Sequence, residues 1–180
     1  MICCAGKIEN FSFAKSIGVG LIESAINLTQ CIFYEKPSEI VFVGTCGCYD
    51  DSKPLLEIFE SQSATNIELS FLQNNSYTPL DNCISLENVS HETLTKNIVN
   101  SSNYITTNKE LAQKFIKLGI LYENMEFFSV LQVARTYQIP ALGVFCSTNH
   151  IHKEAQKEFF SNHKVAMNKL EEYIRDKKNG

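Results

Sequence analysis

Residues 117–149, KLGILYENMEFFSVLQVARTYQIPALGVFCSTN, constrain the fold more than any other part of the chain. Within them Glu123-Asn124-Met125-Glu126 opens an amphipathic segment in which Met125, Phe128, Leu131 and Val133 to Ala134 recur at helical spacing, and Pro140 closes it two residues after Gln138. The run Ala141-Leu142-Gly143-Val144-Phe145-Cys146 is too short and too uniformly apolar for a surface helix, so it predicts a buried parallel strand. Ser147-Thr148-Asn149-His150 follows at the carboxyl end of that strand. A carboxylate opening a helix, then a buried strand that ends in a polar run, is how an α/β sheet builds a small-molecule pocket at its carboxyl edge.

The rest of the chain alternates in the same way. Short apolar runs at residues 2–5 and 40–43 predict strands, and residues 17–33 predict a nearly all-round apolar helix entered through Gly18 and Gly20. Residues 55–59 and 67–72 predict more exposed strands, the second of them ended by the turn signals Asn74-Asn75-Ser76 and Pro79-Leu80-Asp81-Asn82. Thr107-Asn108-Lys109-Glu110 has capping-box spacing and opens a helix carrying Leu111, Phe115 and Leu118, stopped by Gly119. A final helix over 153–175 has the stripe Phe159, His163, Ala166 to Met167, Leu170 and Ile174. Strands interleaved with helices predict a three-layer α/β/α sandwich on a mixed central sheet, with residues 1–180 as a single domain.

Composition narrows the function classes. With 180 residues, 44% of them apolar and 20% charged, the chain can bury roughly 70% of the surface its unfolded form exposes. The net charge is −4 and the basic residues are scattered, with Arg135 and Arg175 the two arginines, so no basic stripe for nucleic acid exists. The cysteines number seven and sit mostly in apolar segments, which predicts reduced thiols in the cytoplasm. Cys46-Gly47-Cys48 and His150-Ile151-His152 are the nearest approaches to metal-ligand spacing and fall short of it, so neither a metal nor another cofactor is expected. No apolar run reaches 18 residues, no charged-then-apolar leader opens the chain, and no membrane partner is expected. The Asn-x-Ser/Thr triplets at Asn27, Asn74, Asn88 and Asn100 are read as chance. Gly18-Val19-Gly20 lacks the third glycine and the downstream acid of a dinucleotide-binding turn.

Two blocks resemble the purine nucleoside phosphorylase and nucleosidase superfamily, which includes methylthioadenosine/S-adenosylhomocysteine nucleosidases and futalosine hydrolases. Met125-Glu126 is similar to the Met-Glu pair that starts a helix in that family, and Thr148-Asn149 stands where the next strand runs into a polar stretch. Ile17-Gly18-Val19-Gly20, a helix, and then Ile40 through Gly47 resemble the family's glycine-helix-strand-glycine segment. With the terminal helix, the resemblance covers more than half of the chain, while the region around 51–100 follows the family only loosely.

The resemblance implies cleavage of a purine nucleoside's ribosyl bond, by water or by phosphate, in a protein that forms homo-oligomers. Such a bond breaks through an oxocarbenium-like state, so a site must fix the ribose, stabilise the departing base and supply a nucleophile. By resemblance Glu126, with Met125, holds the ribose; an ionised carboxylate accepts charge-assisted bonds from two vicinal hydroxyls. The plain alternative is an acid stabilised by the helix dipole. Asn149 stands where the nucleosidases place an aspartic acid. An amide is no general acid, yet it donates one hydrogen bond and accepts another, which suits the N7 and O6 edge of a 6-oxopurine; alternatively it caps the final helix.

Tyr104 and Ile105 are similar to the aromatic-aliphatic pair that covers the base, or they simply pack. The Gly44-Thr45-Cys46-Gly47 turn offers backbone donors, with Gly44 and the Thr45 hydroxyl placed to hold water or an anion. Glu9 is the candidate base that activates water, against the alternative of a solvated surface acid. Phe42 and Phe145 stand at the two places where the family uses arginine, which favours water over phosphate. The readings to separate are therefore a hydrolytic nucleosidase with 6-oxopurine preference, a phosphorolytic enzyme, and a non-catalytic descendant that binds a purine or a protein.

Overall fold

The computed structural model describes residues 1–86 and 97–179. Asn88 therefore lies outside the described residues. In chain order the elements are β1 (Ile2–Cys4), β2 (Lys15–Ser16), α1 (Leu21–Glu35), β3 (Ile40–Cys48), β4 (Ile58–Ser61), β5 (Ser63–Thr65), α2 (Leu69–Leu72), β6 (Cys83–Ser85), β7 (Ile98–Ser101), α3 (Lys109–Lys117), β8 (Ile120–Asn124), α4 (Phe127–Tyr137), β9 (Ala141–His150) and α5 (Ala155–Asn179). They form one mixed sheet of nine strands flanked by helices.

The two long strands β3 and β9 are its axis. They pair in parallel from Ile40 against Ala141 to Cys48 against His150, with a bulge between Cys46 and Gly47. Both are buried on both faces, as a central parallel strand must be. Alternate side chains serve opposite layers. Phe42 and Phe145 point into a core under α1 and α4, with Leu28, Phe127 and Leu131. Val43, Val144 and Cys146 point the other way, against Ala166, Leu170 and Ile174 of α5. Each phenylalanine buried in this manner contributes about 1.5–3 kcal/mol. A third cluster packs Tyr49, Ile120 and Ile151 beneath α3.

The expected sandwich holds, while several element boundaries move for identifiable reasons. The helix expected from residue 17 starts at Leu21, because Ile17 and Gly18 donate to the Cys4 and Ala5 carbonyls and extend the β1–β2 ladder. Residues 44–47, read as a turn, continue β3, since the neighbouring β9 satisfies their backbone. The exposed strand expected at 55–59 is β4, beginning at Ile58 and antiparallel to β9. Residues 67–72 are not a strand: Ile67 precedes the one-turn helix α2, whose Leu72 packs with Ile67 on Leu111 and Phe115, and whose Leu72 carbonyl accepts from Lys114 Nζ at 2.6 Å. The cap of α3 is Asn108 rather than Thr107, its Oδ1 accepting from the Glu110 and Leu111 amides. The final helix begins at Ala155, two residues later than the sequence suggests, and runs on to Asn179.

Candidate active site

At the carboxyl ends of β1, β3, β8 and β9 the segments that leave the sheet enclose a cleft of about 380 Å³. Glu9, Thr45, Tyr104, Ile105, Met125, Glu126 and Asn149 all line it. Gly44 does not: it lies behind Glu9, and a Cβ built there would stand 3.1 Å from Glu9 Oε2.

Glu126 comes directly before α4 but does not cap it. That work falls to Asn124, whose Oδ1 accepts from the Phe127 amide at 3.1 Å and from the Glu126 amide at 3.3 Å. The carboxylate of Glu126 turns instead to the loop before α1, where the Gly20 N–H donates to Oε1 at 3.0 Å. Asn124 Nδ2 and the Met125 N–H donate to Oε2, each at 3.2 Å. Gly20 has φ 86, and a Cβ on it would sit 2.8 Å from Asn103 Oδ1, so glycine is required where the amide meets the acid. Burial pushes the Glu126 carboxyl up to about 7; the Gly20 N–H opposes the rise and the nearby Glu9 charge adds to it.

Glu9 is reached by a tight turn in which Gly6 and Glu9 exchange backbone hydrogen bonds of 3.2 and 3.0 Å. Its residue surface is half-buried, yet its carboxyl group sits in a crowded place, held by the Thr45 hydroxyl on Oε1 and by the Thr45 N–H on Oε2 at 3.2 Å. Burial raises its pKa, with both Thr45 donors opposing. A solvated surface acid is not what the structure contains.

Asn149 lies within β9 and does not cap α5. The Thr148 hydroxyl donates to its Oδ1 at 3.0 Å and its Nδ2 donates to the His150 carbonyl at 3.2 Å, which fixes the amide and leaves one N–H free. Tyr104 and Ile105 do not pack into the core; they stand at the rim, 75% and 60% exposed. Phe42 and Phe145 are fully buried with ring centroids 5.8 Å apart and take no part in the cleft wall. Among the described lining residues the one cation is Lys7, exposed at the edge. Arg135 is engaged on the surface with Asp81 at 2.9 Å.

Sequence reasoning gave no role to Glu123. It pairs with Gly47 across β3 and β8, while Gly47 pairs with Asn149 across β3 and β9, so the two side chains flank the one missing at Gly47. A Cβ on Gly47 would meet Glu123 Cγ at 3.2 Å and Asn149 Nδ2 at 3.3 Å. Tyr49 Oη donates to Glu123 Oε2 at 2.8 Å and the Thr106 N–H donates to Oε1 at 3.1 Å. Burial pushes this carboxyl up to about 7, opposed by the Thr106 hydroxyl, Tyr49 and the Thr106 N–H. The signal in the sequence was a glutamate inside a short apolar strand, but the residues that flank it come from strand pairings that sequence spacing does not reveal.

The architecture is that of the nucleoside phosphorylase and nucleosidase fold. Among solved structures the chain is similar to the futalosine hydrolase of Helicobacter pylori, with 14% identity over 97% of this chain and 94% of that one and a TM-score of 0.78. It is likewise similar to the 5′-methylthioadenosine/S-adenosylhomocysteine nucleosidase of Helicobacter pylori (12% identity, 97% and 95% covered, TM-score 0.79) and to that of S. pneumoniae (11%, 96% and 95%, TM-score 0.74). No family model and no curated protein matches the sequence.

Proposed function

We propose that the protein hydrolyses the N-ribosyl bond of a purine nucleoside. The observation that carries this reading is the convergence of Glu9, Glu126 and Asn149, from three distant parts of the chain, on one cleft at the carboxyl edge of the sheet. Glu126, ionised, accepts from the ribose hydroxyls beside Met125; Oε1, engaged by Gly20 alone, keeps a free lone pair, and a second hydroxyl would replace one of the 3.2 Å contacts from Asn124 and Met125 at Oε2. Glu9, poised by burial to accept a proton, takes it from a water held near Thr45 as that water attacks C1′. Tyr104 and Ile105 cover the base, and the free N–H of Asn149 donates to O6 of a 6-oxopurine. The solved relatives named as nucleosidases and futalosine hydrolase support the reaction class.

Water is preferred to phosphate because no arginine lines the cleft among the described residues. Association into a homo-oligomer is supported by the exposed apolar side chains of Ile22, Ile26, Tyr104 and Ile105, and light scattering measures it. The test of function is incubation of the purified protein with inosine, adenosine, methylthioadenosine and futalosine, with and without phosphate, reading out free base. Release of base without need of phosphate is the expected result. Saturable purine binding with no release would instead identify a non-catalytic binder.

A further inference from the structure

Hydrolysis sets one chemical task that none of these residues performs. A purine departs from C1′ as an anion unless a ring nitrogen is protonated, and an amide such as Asn149 has no proton to give at neutral pH. We propose that Glu123 supplies that proton to N7 of the departing base, while Asn149 reads the neighbouring O6.

Three observations support this assignment, which rests on the nucleosidase reading above. Glu123 lines the cleft and stands beside Asn149, the two side chains flanking the Gly47 position on one face of the sheet. A side chain on Gly47 would fill the space between them, so the glycine leaves room for a planar base edge to meet both groups. Second, Glu123 accepts from Tyr49 Oη and from the Thr106 N–H, with the Thr106 hydroxyl beside them, and these three donors still leave one of its roughly four acceptor sites free to carry or share a proton. Third, burial holds the carboxyl protonated in a large share of molecules near neutral pH, a state that an exposed glutamate lacks there. The groups that titrate around it are Tyr49 and Cys46 on β3, with Glu9 and Glu126 on the other walls of the cleft.

The proton and electron count closes. The C1′–N9 bond breaks and its electron pair leaves with the base; the Glu123 proton passes to N7, giving neutral purine and a Glu123 carboxylate. Water forms the new C1′–O bond and its proton passes to Glu9. The two acids return to their starting states by exchanging that proton with solvent, and the net reaction is nucleoside plus water to purine plus ribose.

The experiment compares inosine with p-nitrophenyl β-D-ribofuranoside, whose leaving group departs as a stable anion and needs no acid. In Glu123→Gln the side-chain carbonyl can accept from Thr106 N–H and Tyr49 Oη can turn to accept from the new amide, but the acid is gone. The expected result is a kcat loss on the order of 10²-fold or more for inosine, with a loss at least about tenfold smaller for the nitrophenyl riboside. In the wild type, inosine cleavage should fall above about pH 7 while nitrophenyl riboside cleavage keeps only the acid-side fall contributed by Glu9 and Glu126.

Equal losses on the two substrates, or no loss on either, would overturn the assignment. If Glu123→Gln does not fold, the wild-type pH profiles decide, and identical profiles on both substrates overturn it. Purine release by the wild type together with equal losses on the two substrates in Glu123→Gln overturns this inference alone, whereas failure of the wild type to release base from any purine nucleoside overturns the nucleosidase reading and this inference with it.

Discussion

Gly20 and Glu126 are 106 residues apart in sequence and are joined by a buried hydrogen bond of 3.0 Å. The bond ties the entry of α1 to the entry of α4, and it gives the glycine-rich segment a purpose that its dinucleotide-like spacing does not suggest. A helix entry offers unpaired N–H groups, and here one of them is directed at a carboxylate rather than at a phosphate. Because Asn124 performs the capping, the acid is left to face the cleft.

That arrangement makes Glu126→Gln a clean test of ribose anchoring. The amide keeps size and one acceptor but loses the charge, so turnover should fall by about 10²-fold or more while the circular dichroism spectrum and melting transition persist. In the wild type the same group predicts a fall in kcat/KM as pH drops below about 7, since burial raises the carboxyl to that range and the protonated form is the weaker acceptor. Unchanged turnover in a folded variant would remove Glu126 from the site.

On the proposed reading, Asn149 sets the base preference. Its free N–H complements the O6 acceptor of a 6-oxopurine, whereas a 6-amino group presents a donor to a donor. Inosine should therefore be cleaved faster than adenosine, and Asn149→Asp should shift the ratio of the two rates toward adenosine. Faster release of adenine than of hypoxanthine by the wild type would show that this position reads the base differently.

Much of this site was legible as types of residue and little of it as relationships. The helix after Met125-Glu126, the buried strand after Pro140 and the candidates Glu9, Tyr104 and Asn149 come from local pattern and family resemblance, and Glu9, Tyr104, Met125, Glu126 and Asn149 all line one cleft. The roles of Asn124 and Glu123 could not be read that way. Asn124 acts through a turn whose geometry depends on Ser101, which donates to it at 2.8 Å from β7. Glu123 gains its neighbours by pairing with β3, whose antiparallel contact with β8 is only two residues long. The misread segment 67–72 has the same origin: Ile67 and Leu72 pack on α3, and residues 69–72 take a helical turn there, beside a tertiary partner that local alternation does not reveal.

The buried acids also make folding stability depend on pH in a direction opposite to that of a paired surface carboxylate. Glu123 has its pKa raised in the folded protein from 4.5 to about 7, so its contribution is fully present below about pH 4.5 and is lost as pH rises through 7. At 1.36 kcal/mol per unit, the loss is on the order of 3 kcal/mol. Glu123→Gln carries no charge to desolvate, so its melting temperature relative to wild type should be higher at pH 8 than at pH 5. A difference between the two proteins that does not change with pH would mean that Glu123 titrates normally.

Phosphate dependence separates hydrolysis from phosphorolysis most directly. A phosphate dianion beside a developing ribosyl cation needs charged or dipolar donors, and an Arg–phosphate contact is commonly bidentate. Here Phe42 and Phe145, at the two positions that the sequence resemblance would assign to arginine, are buried against Phe127 under α1 and α4. Thr45 is already committed to Glu9, and Lys7 at the rim is the one described cation on the cleft wall. Each absent charge-assisted contact should cost about 1.5–3 kcal/mol of anion binding. Two such losses weaken phosphate by roughly two to four decades at 1.4 kcal/mol per decade. Activity should then be nearly independent of phosphate, with free ribose as the sugar product. Stoichiometric ribose 1-phosphate would overturn the hydrolytic reading, and Lys7→Ala would then test whether that lysine supplies the missing charge.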